Sequence, residues 1–279
     1  MTTGLLADGG ELPPLRLVPG WLTTADHWWG EHGLLVSLRE HVLYTVVAVG
    51  IAALIALPLG LVIGHTGRGV FAVVGVANSI RAVPAFGLLL LLVVWLTPKI
   101  HYRESVSWLV HRGGVPYVVP VEIVLIILAI PPILTNTYAG VQNVDPAVRD
   151  AAKGMGMTGG EVLRKVEFPI ALPLILSGIR SAVLQVIATA TIAAFLPFLG
   201  GLGYLIFNGL NQINDHDSGY PAMIGAGIVV AVLAIVADLL LLGVQRLVVS
   251  PGVSGRFKVR ATPALASLPD RVEVAPAKS

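Results

Sequence analysis

The stretch that decides the fold is a polar loop at 136–173, NTYAGVQNVDPAVRDAAKGMGMTGGEVLRKVEFPIALP, which separates two long apolar runs. Asp145 followed by Pro146 is an N-cap followed by proline at the first helical position. This pair predicts a short helix over 146–154. Thr158 and Glu161 have the spacing of a capping box, which predicts the start of a second helix. The glycines between the two helices permit a sharp turn, so the loop is predicted to fold into a two-helix knuckle.

Outside this loop the composition is that of a membrane protein. The chain has 279 residues, of which 55% are hydrophobic and only 12% are charged, and its mean hydropathy is +0.83. Soluble domains carry about a quarter charged residues, so the charge needed to cover a water-facing surface is missing. The chain has no cysteine, which excludes disulfides, thiolate nucleophiles and cysteine-bound metals. We predict an all-α, polytopic membrane protein and expect no bound metal or cofactor.

Five apolar runs are long enough to cross a bilayer, whose core takes about 20 helical residues. They cover 42–63, 70–96 around Pro84, 118–138, 170–195 and 222–248. The glycine-rich segment between the last two is too short to cross, and we expect a re-entrant or surface piece rather than a stable helix there. The predicted organisation is an external segment at 1–40, a transmembrane domain at 41–249 and a disordered cytoplasmic tail at 250–279.

The basic residues predict how the chain is oriented in the membrane. With the N-terminus outside, five Lys and Arg residues fall on the outer side and eleven on the inner side. The positive-inside rule therefore favours an external N-terminus and a cytoplasmic C-terminus.

Two charges fall inside predicted spans at similar depth. Arg180 lies about ten residues into the fourth span and Asp238 about ten residues before the inner end of the fifth, each near 15 Å deep at about 1.5 Å per residue. Isolated charges at membrane depth are costly. We therefore predict a structural ion pair between them, with separate wet or snorkelling positions as the alternative.

One spacing within the loop is long and specific. Its members are Asp150, Ala151, Ala152, Gly156, Val166, Phe168 and Pro169. The pattern resembles the EAA loop of binding-protein-dependent ABC importer permeases, with Asp, Val and Phe replacing Glu, Ile and Leu. Further similarity covers LPLG at 57–60, NSIRAVP at 78–84, NTYAG at 136–140, VDPAVRDAAKGMGM at 144–157 and TATIAAFLPFLGGLGYLIFNGL at 189–210. The last three stretches are most similar to permeases of osmoprotectant importers.

The resemblance implies a type I ABC importer permease in a prokaryotic plasma membrane. Such a subunit would import glycine betaine, carnitine, choline or proline betaine. Its partners would be a second permease copy or a sister permease, two cytoplasmic ATPase subunits and an external substrate-binding protein. The sequence has no Gly-Lys-Ser or Gly-Lys-Thr, so ATP is expected to be bound by another chain.

The resemblance also assigns roles within the loop. The segment 145–157 would be the coupling helix, and the seven motif residues would couple the permease to the ATPase. On this interpretation Ala152→Glu or Gly156→Leu should leave the protein folded while weakening ATPase docking.

Three alternatives remain. A permease for methionine or another amino acid would share the loop, because NSIRAVP also resembles methionine permeases. An ion-coupled secondary transporter would need intramembrane charges, for which Arg81, Glu122, Arg180 and Asp238 are the candidates. An intramembrane enzyme is disfavoured, because neither His-Glu-x-x-His nor Gly-x-Gly-Asp occurs in the sequence.

Overall fold

The computed structural model describes residues 15–30, 33–100, 115–196, 199–213 and 218–250, and these residues form helices joined by short turns. The helices are α1 (Leu17–Thr23), α2 (Leu34–Thr66), α3 (Val70–Ala82), α4 (Ala85–Leu96), α5 (Val115–Gln142), α6 (Pro146–Gly154), α7 (Gly159–Val162), α8 (Phe168–Ala193), α9 (Leu202–Asn211) and α10 (Gly219–Val248). A π-helical turn, Leu163–Glu167, joins α7 to α8. No β-strand occurs in the described ranges, which confirms the all-α prediction.

Four helical stretches are long and apolar enough to cross a membrane: Leu34–Thr66, Pro116–Gln142, Gly159–Ala193 and Gly219–Val248. The bent pair α3 and α4 provides a fifth span if it is counted as one. The outward faces of these helices expose large apolar side chains such as Leu54, Leu240 and Leu247. Large exposed apolar faces of this kind are unfavourable for a folded monomer in water, whereas they are stable in contact with lipid.

The core lies where α2, α5 and α8 pack together. Small residues allow α2 to approach α5 closely at Gly60 and Gly64. A Cβ atom at Gly60 would lie 2.7 Å from Thr137 Cβ, and one at Gly64 would lie 2.6 Å from Val141 Cβ. This is the close packing that two small residues four positions apart permit between membrane helices. The contact holds the end of α2 beside the end of α5, where the 136–173 loop begins.

The predicted second span, 70–96, is divided into two helices at Pro84. The helix axes of α3 and α4 differ by 87° at Val83 and Pro84. Proline lacks the backbone donor and disfavours helical geometry in the preceding residue. Val83 accordingly adopts an extended conformation with φ −73° and ψ 128°.

Two expectations need correction. The glycine-rich segment before the last span contains the ten-residue helix α9, because its leucines and other apolar residues give it a face to pack on α10. Helix α2 begins at Leu34 rather than near position 42, since Ser37, Glu40 and His41 are buried by tertiary contacts. The second loop helix runs through the π-helical turn into α8, and Pro169 occupies the first turn of α8. Residues 251–279, nearly all of the predicted disordered tail, lie outside the described residues.

Candidate functional site

The first helix of the loop, α6, is fixed at both ends by its own residues. Asp145 caps its start, because Oδ1 accepts a hydrogen bond from the Ala147 amide at 2.8 Å. At the other end Gly156 adopts φ +86°, its amide bonds Lys153 O at 2.9 Å, and the Met157 amide bonds Ala152 O at 3.2 Å. This pair of bonds is a Schellman motif, which needs a left-handed residue at the position of Gly156. The predicted limits of the helix, 146–154, match the observed Pro146–Gly154.

The second helix starts with the predicted capping box. The Glu161 amide donates to Thr158 Oγ1 at 3.4 Å, and Glu161 Oε2 accepts from the Thr158 amide at 3.0 Å. The helical stretch Gly159–Ala193 has 35 residues, so at about 1.5 Å per residue it exceeds the 30 Å bilayer core and its polar first turns project beyond it. On this projecting part, Lys165 lies 2.8 Å from Glu161. The bond from Lys165, together with those from Thr158, lowers the pKa of the exposed Glu161 carboxyl to about 2.

The loop also holds a buried carboxylate that the sequence pattern did not indicate. Glu167 is only 1% exposed. Its Oε2 lies 2.6 Å from His65 Nδ1, and its Oε1 lies 2.8 Å from Arg149 Nε. We call His65, Arg149 and Glu167 the Glu167 cluster. The Arg149 Nε–H is not aligned for a hydrogen bond, so that contact is an ion pair, while Arg149 Nη2 donates to Val141 O at 2.5 Å. The only signal in the sequence was an acid set between the apolar Val166 and Phe168, and nothing in the spacing identified its partners.

The structure separates the seven motif residues into two groups. Asp150, Ala151, Gly156, Phe168 and Pro169 are exposed, and Val166 is half-buried, whereas Ala152 is buried against its own chain. Ala152 therefore packs against its own chain, while Ala151 is exposed, and the predicted role of the two alanines in coupling to an ATPase stays a prediction. Ala152→Glu would disturb this chain's own packing.

Gly156 also differs from the expectation. A Cβ atom there would have no neighbour within 4 Å, so added volume would meet open space. The constraint is its left-handed backbone, which side chains other than glycine adopt at a cost. Neither Ala152→Glu nor Gly156→Leu is therefore a clean test of docking.

One face of α6 forms an exposed apolar surface. Val148 and Ala151 on α6 and Met155, its C-cap residue, follow one another at spacings of three and four, so they lie on the same side. Val148 is 42% exposed and Met155 is 72% exposed. We call these three residues the α6 stripe. A capped helix with an apolar stripe has the form of an element that lies in a groove on another protein.

The structure also places the predicted ion-pair residues together. Both Nε and Nη2 of Arg180 on α8 contact the Asp238 carboxylate on α10, and the two side chains are half-buried. Of the other intramembrane candidates, Arg81 Nη2 donates to Thr135 Oγ1 at 3.2 Å. Glu122 Oε2 has no hydrogen-bond partner among the described residues.

Comparison with known proteins places this geometry in context. Residues 56–249 match a family described as "Binding-protein-dependent transport system inner membrane component". The glycine betaine/carnitine/choline transport system permease protein OpuCB of Bacillus subtilis is 34% identical over 226 residues, covering 81% of this chain and 93% of that protein. The carnitine transport permease protein OpuCD of Listeria monocytogenes is 37% identical, covering 74% and 82%. The osmoprotectant import permease protein OsmW of Salmonella typhimurium is 32% identical, covering 83% and 100%.

Two solved structures have a similar fold. The MetNI methionine ABC transporter in an inward-facing conformation matches with a TM-score of 0.60 at 20% identity, over 78% of this chain and 97% of that chain. An amino acid ABC transporter with histidines matches with a TM-score of 0.55 at 21% identity, over 76% and 92%. At this identity the matches show the fold alone, and they confirm the predicted importer-permease architecture.

Proposed function

The chain belongs to the family of binding-protein-dependent transport system inner membrane components, and from that premise we propose that it is the permease subunit of an osmoprotectant importer driven by ATP. It is a multi-pass membrane protein and a transporter component rather than an enzyme. The proposed substrates are glycine betaine, carnitine, choline and related compounds. The observation that carries this assignment is the identity of 32–37% to osmoprotectant permeases over about three quarters or more of the chain.

The loop geometry supports a role for α6 as the coupling helix. Its two caps make it a rigid unit, and the chain connects it to α5 on one side and to α8 on the other. A soluble partner that shifts α6 must therefore shift the ends of two long helices. Coupling of this kind requires two global states with different contacts, which ATP-driven closure of a partner would supply.

The α6 stripe is the proposed contact with the ATPase. Val148, Ala151 and Met155 would lie in an apolar groove of that subunit, as amphipathic helices do in other complexes. Within the motif, Asp150, Ala151 and Gly156 would be at or next to this contact. Ala152, Val166, Phe168 and Pro169 would instead set the position of α6 relative to α8.

The remaining assignments follow from the same function. Two ATPase subunits would bind ATP, a second permease copy or a sister permease would complete the path, and an external binding protein would deliver the substrate. The loop and the C-terminus would face the cytoplasm and the N-terminus the outside, as the distribution of Lys and Arg favours.

Reconstitution in proteoliposomes tests this function. The permease, its co-purifying ATPase and its binding protein are assembled, and uptake of radiolabelled glycine betaine, choline or methionine is measured with ATP inside the vesicles. We expect uptake of an osmoprotectant that requires both ATP and binding protein and that persists when ion gradients are dissipated. Uptake that follows an ion gradient without ATP would refute the importer, and uptake of methionine alone would refute the substrate class.

A further inference from the structure

Helix α2 lies against the loop, although the two segments are not consecutive in the sequence. His65 lies in the last turn of α2, and its Nδ1 is 2.6 Å from Glu167 Oε2. A carboxylate oxygen only accepts, so Nδ1 carries the proton in this contact. The loop backbone also lies against the ring, because a Cβ atom at Gly159 would be 3.3 Å from His65 Nε2. The end of α2 is thus in contact with the loop at two points.

The same carboxylate also contacts α6. Glu167 Oε1 lies 2.8 Å from Arg149 Nε, and Arg149 is itself anchored by the bond from Nη2 to Val141 O at the end of α5. One side chain therefore joins the end of α2, the coupling helix and the turn that leads into α8. No other carboxylate in the described ranges contacts basic side chains on two different helices.

The burial of Glu167 makes this junction costly to separate. Its side chain is 1% exposed, while His65 and Arg149 are 25% and 22% exposed. A carboxylate taken out of water depends on its partners for compensation, so pulling either partner away leaves a desolvated charge. The elements around Glu167 are therefore expected to move together. Exposed pairs such as Lys165 and Glu161 lack this property, because water replaces the lost partner.

We propose that Glu167 is a positioning residue that makes α2 follow the coupling helix. A partner that displaces α6 then moves the ends of three long helices instead of the two that the chain connects to the loop. Close packing at Gly60 and Gly64 carries the shift along the contact between α2 and α5. This inference rests on the proposed function, since it assigns a role in ATP-driven transport.

A purely structural role for the cluster makes a different prediction. If Glu167 only stabilised the fold, its loss would lower the amount of folded complex while leaving the transport achieved per ATP unchanged. If it transmits motion, its loss would leave an assembled complex that hydrolyses ATP with little transport. The ratio of substrate imported to ATP hydrolysed therefore separates the two roles.

The experiment compares Glu167→Gln, His65→Gln and the double variant with Glu161→Gln as the matched control. Glu161 is an acid of the same loop, and glutamine preserves its capping box while removing its contact with Lys165. Each complex is purified, its ATPase stoichiometry is determined, and uptake and stimulated hydrolysis are measured in the same vesicles. The ratio should fall about tenfold in Glu167→Gln and His65→Gln, within the range of about 5–150-fold typical of coupling between sites. Glu161→Gln should match the wild type.

The double variant adds a second criterion. Because both substitutions remove the same contact between His65 and Glu167, the ratio in the double variant should be no lower than in the more affected single variant. An assembled Glu167→Gln complex with a normal ratio would overturn the proposal, as would losses that multiply in the double variant. If Glu167→Gln does not assemble, the ratio measured for His65→Gln tests the proposal instead. Because the His65 side chain is partly exposed, its replacement should disturb the fold less. Absence of osmoprotectant uptake by the wild type would instead refute the proposed function.

Discussion

Shortening Met155 to alanine tests the proposed ATPase contact without disturbing the permease. Met155 is 72% exposed, so the substitution removes few contacts within this chain. Met155 directly follows α6 and takes no part in the hydrogen bond of the Asp145 side chain, so the N-terminal cap of α6 remains. Any loss of function should therefore come from the surface that the side chain presents to a partner.

The size of the effect follows from the exposed fraction. Full burial of a methionine side chain is worth about 1.5–3 kcal/mol. With 72% of the side chain available to a partner, docking should lose about 1–2 kcal/mol. At 1.4 kcal/mol for each factor of ten, the ATPase should bind about 5–30-fold more weakly. Met155→Glu should weaken it further, because a charge would enter an apolar groove without a partner.

The assay titrates purified ATPase subunits onto permease in nanodiscs and measures binding and substrate-stimulated hydrolysis. Lys153→Gln is the control, since Lys153 is exposed on the same helix but lies away from the α6 stripe. We expect the control to bind the ATPase normally and all three variants to have a thermal stability similar to that of the wild type. Normal ATPase affinity in Met155→Glu would refute the idea that the α6 stripe is the docking surface.

Three further predictions address the span charges, the helix cap and the orientation. Arg180→Ala and Asp238→Ala should each lower the yield of folded protein, measured as detergent-solubilised yield and thermal midpoint. The double variant should lose less than the sum of the two single losses, and full additivity would contradict an ion pair. Gly156→Leu should destabilise the protein by about 1–3 kcal/mol through its left-handed backbone, and an unchanged midpoint in thermal unfolding would contradict this. In this cysteine-free chain, Thr24→Cys should be labelled from outside intact cells and Ser267→Cys should not; the reverse pattern would overturn the orientation.

The fold class could be read from the sequence because bilayer physics acts on local composition. A span must satisfy its own backbone hydrogen bonds and carry about 20 apolar residues, and both requirements act within one segment. Likewise the ends of α6 and the capping box at Thr158 are interactions between neighbours in the chain, so residue types at fixed spacings were sufficient. The angle of the break at Pro84 was not predictable, because it depends on what α3 and α4 pack against.

The start of α2 and the burial of Ala152 were decided by tertiary contacts. Glu40 would normally end an apolar run, but its Oε2 accepts a hydrogen bond from the Gly201 amide at 2.8 Å, far along the chain. Ala152 and Ala151 are identical in type and adjacent in sequence, so the motif could not show which one faces a partner. Only the packing of α6 against its own protein assigns Ala152 to the interior and Ala151 to the surface.

The membrane class, the helical loop and the family resemblance could be predicted from residue types alone, since each depends on composition or on spacings within a short segment. The Glu167 cluster, in contrast, depends on contacts between segments that are far apart in the chain. His65 lies 102 positions from Glu167, and no local pattern relates the two residues. Gly60 and Gly64 permit close packing of α2 on α5, and the end of α2 lies beside the turn that carries Glu167. The partners of a buried carboxylate are set by the path of the chain in space, because that path decides which basic side chains lie within reach.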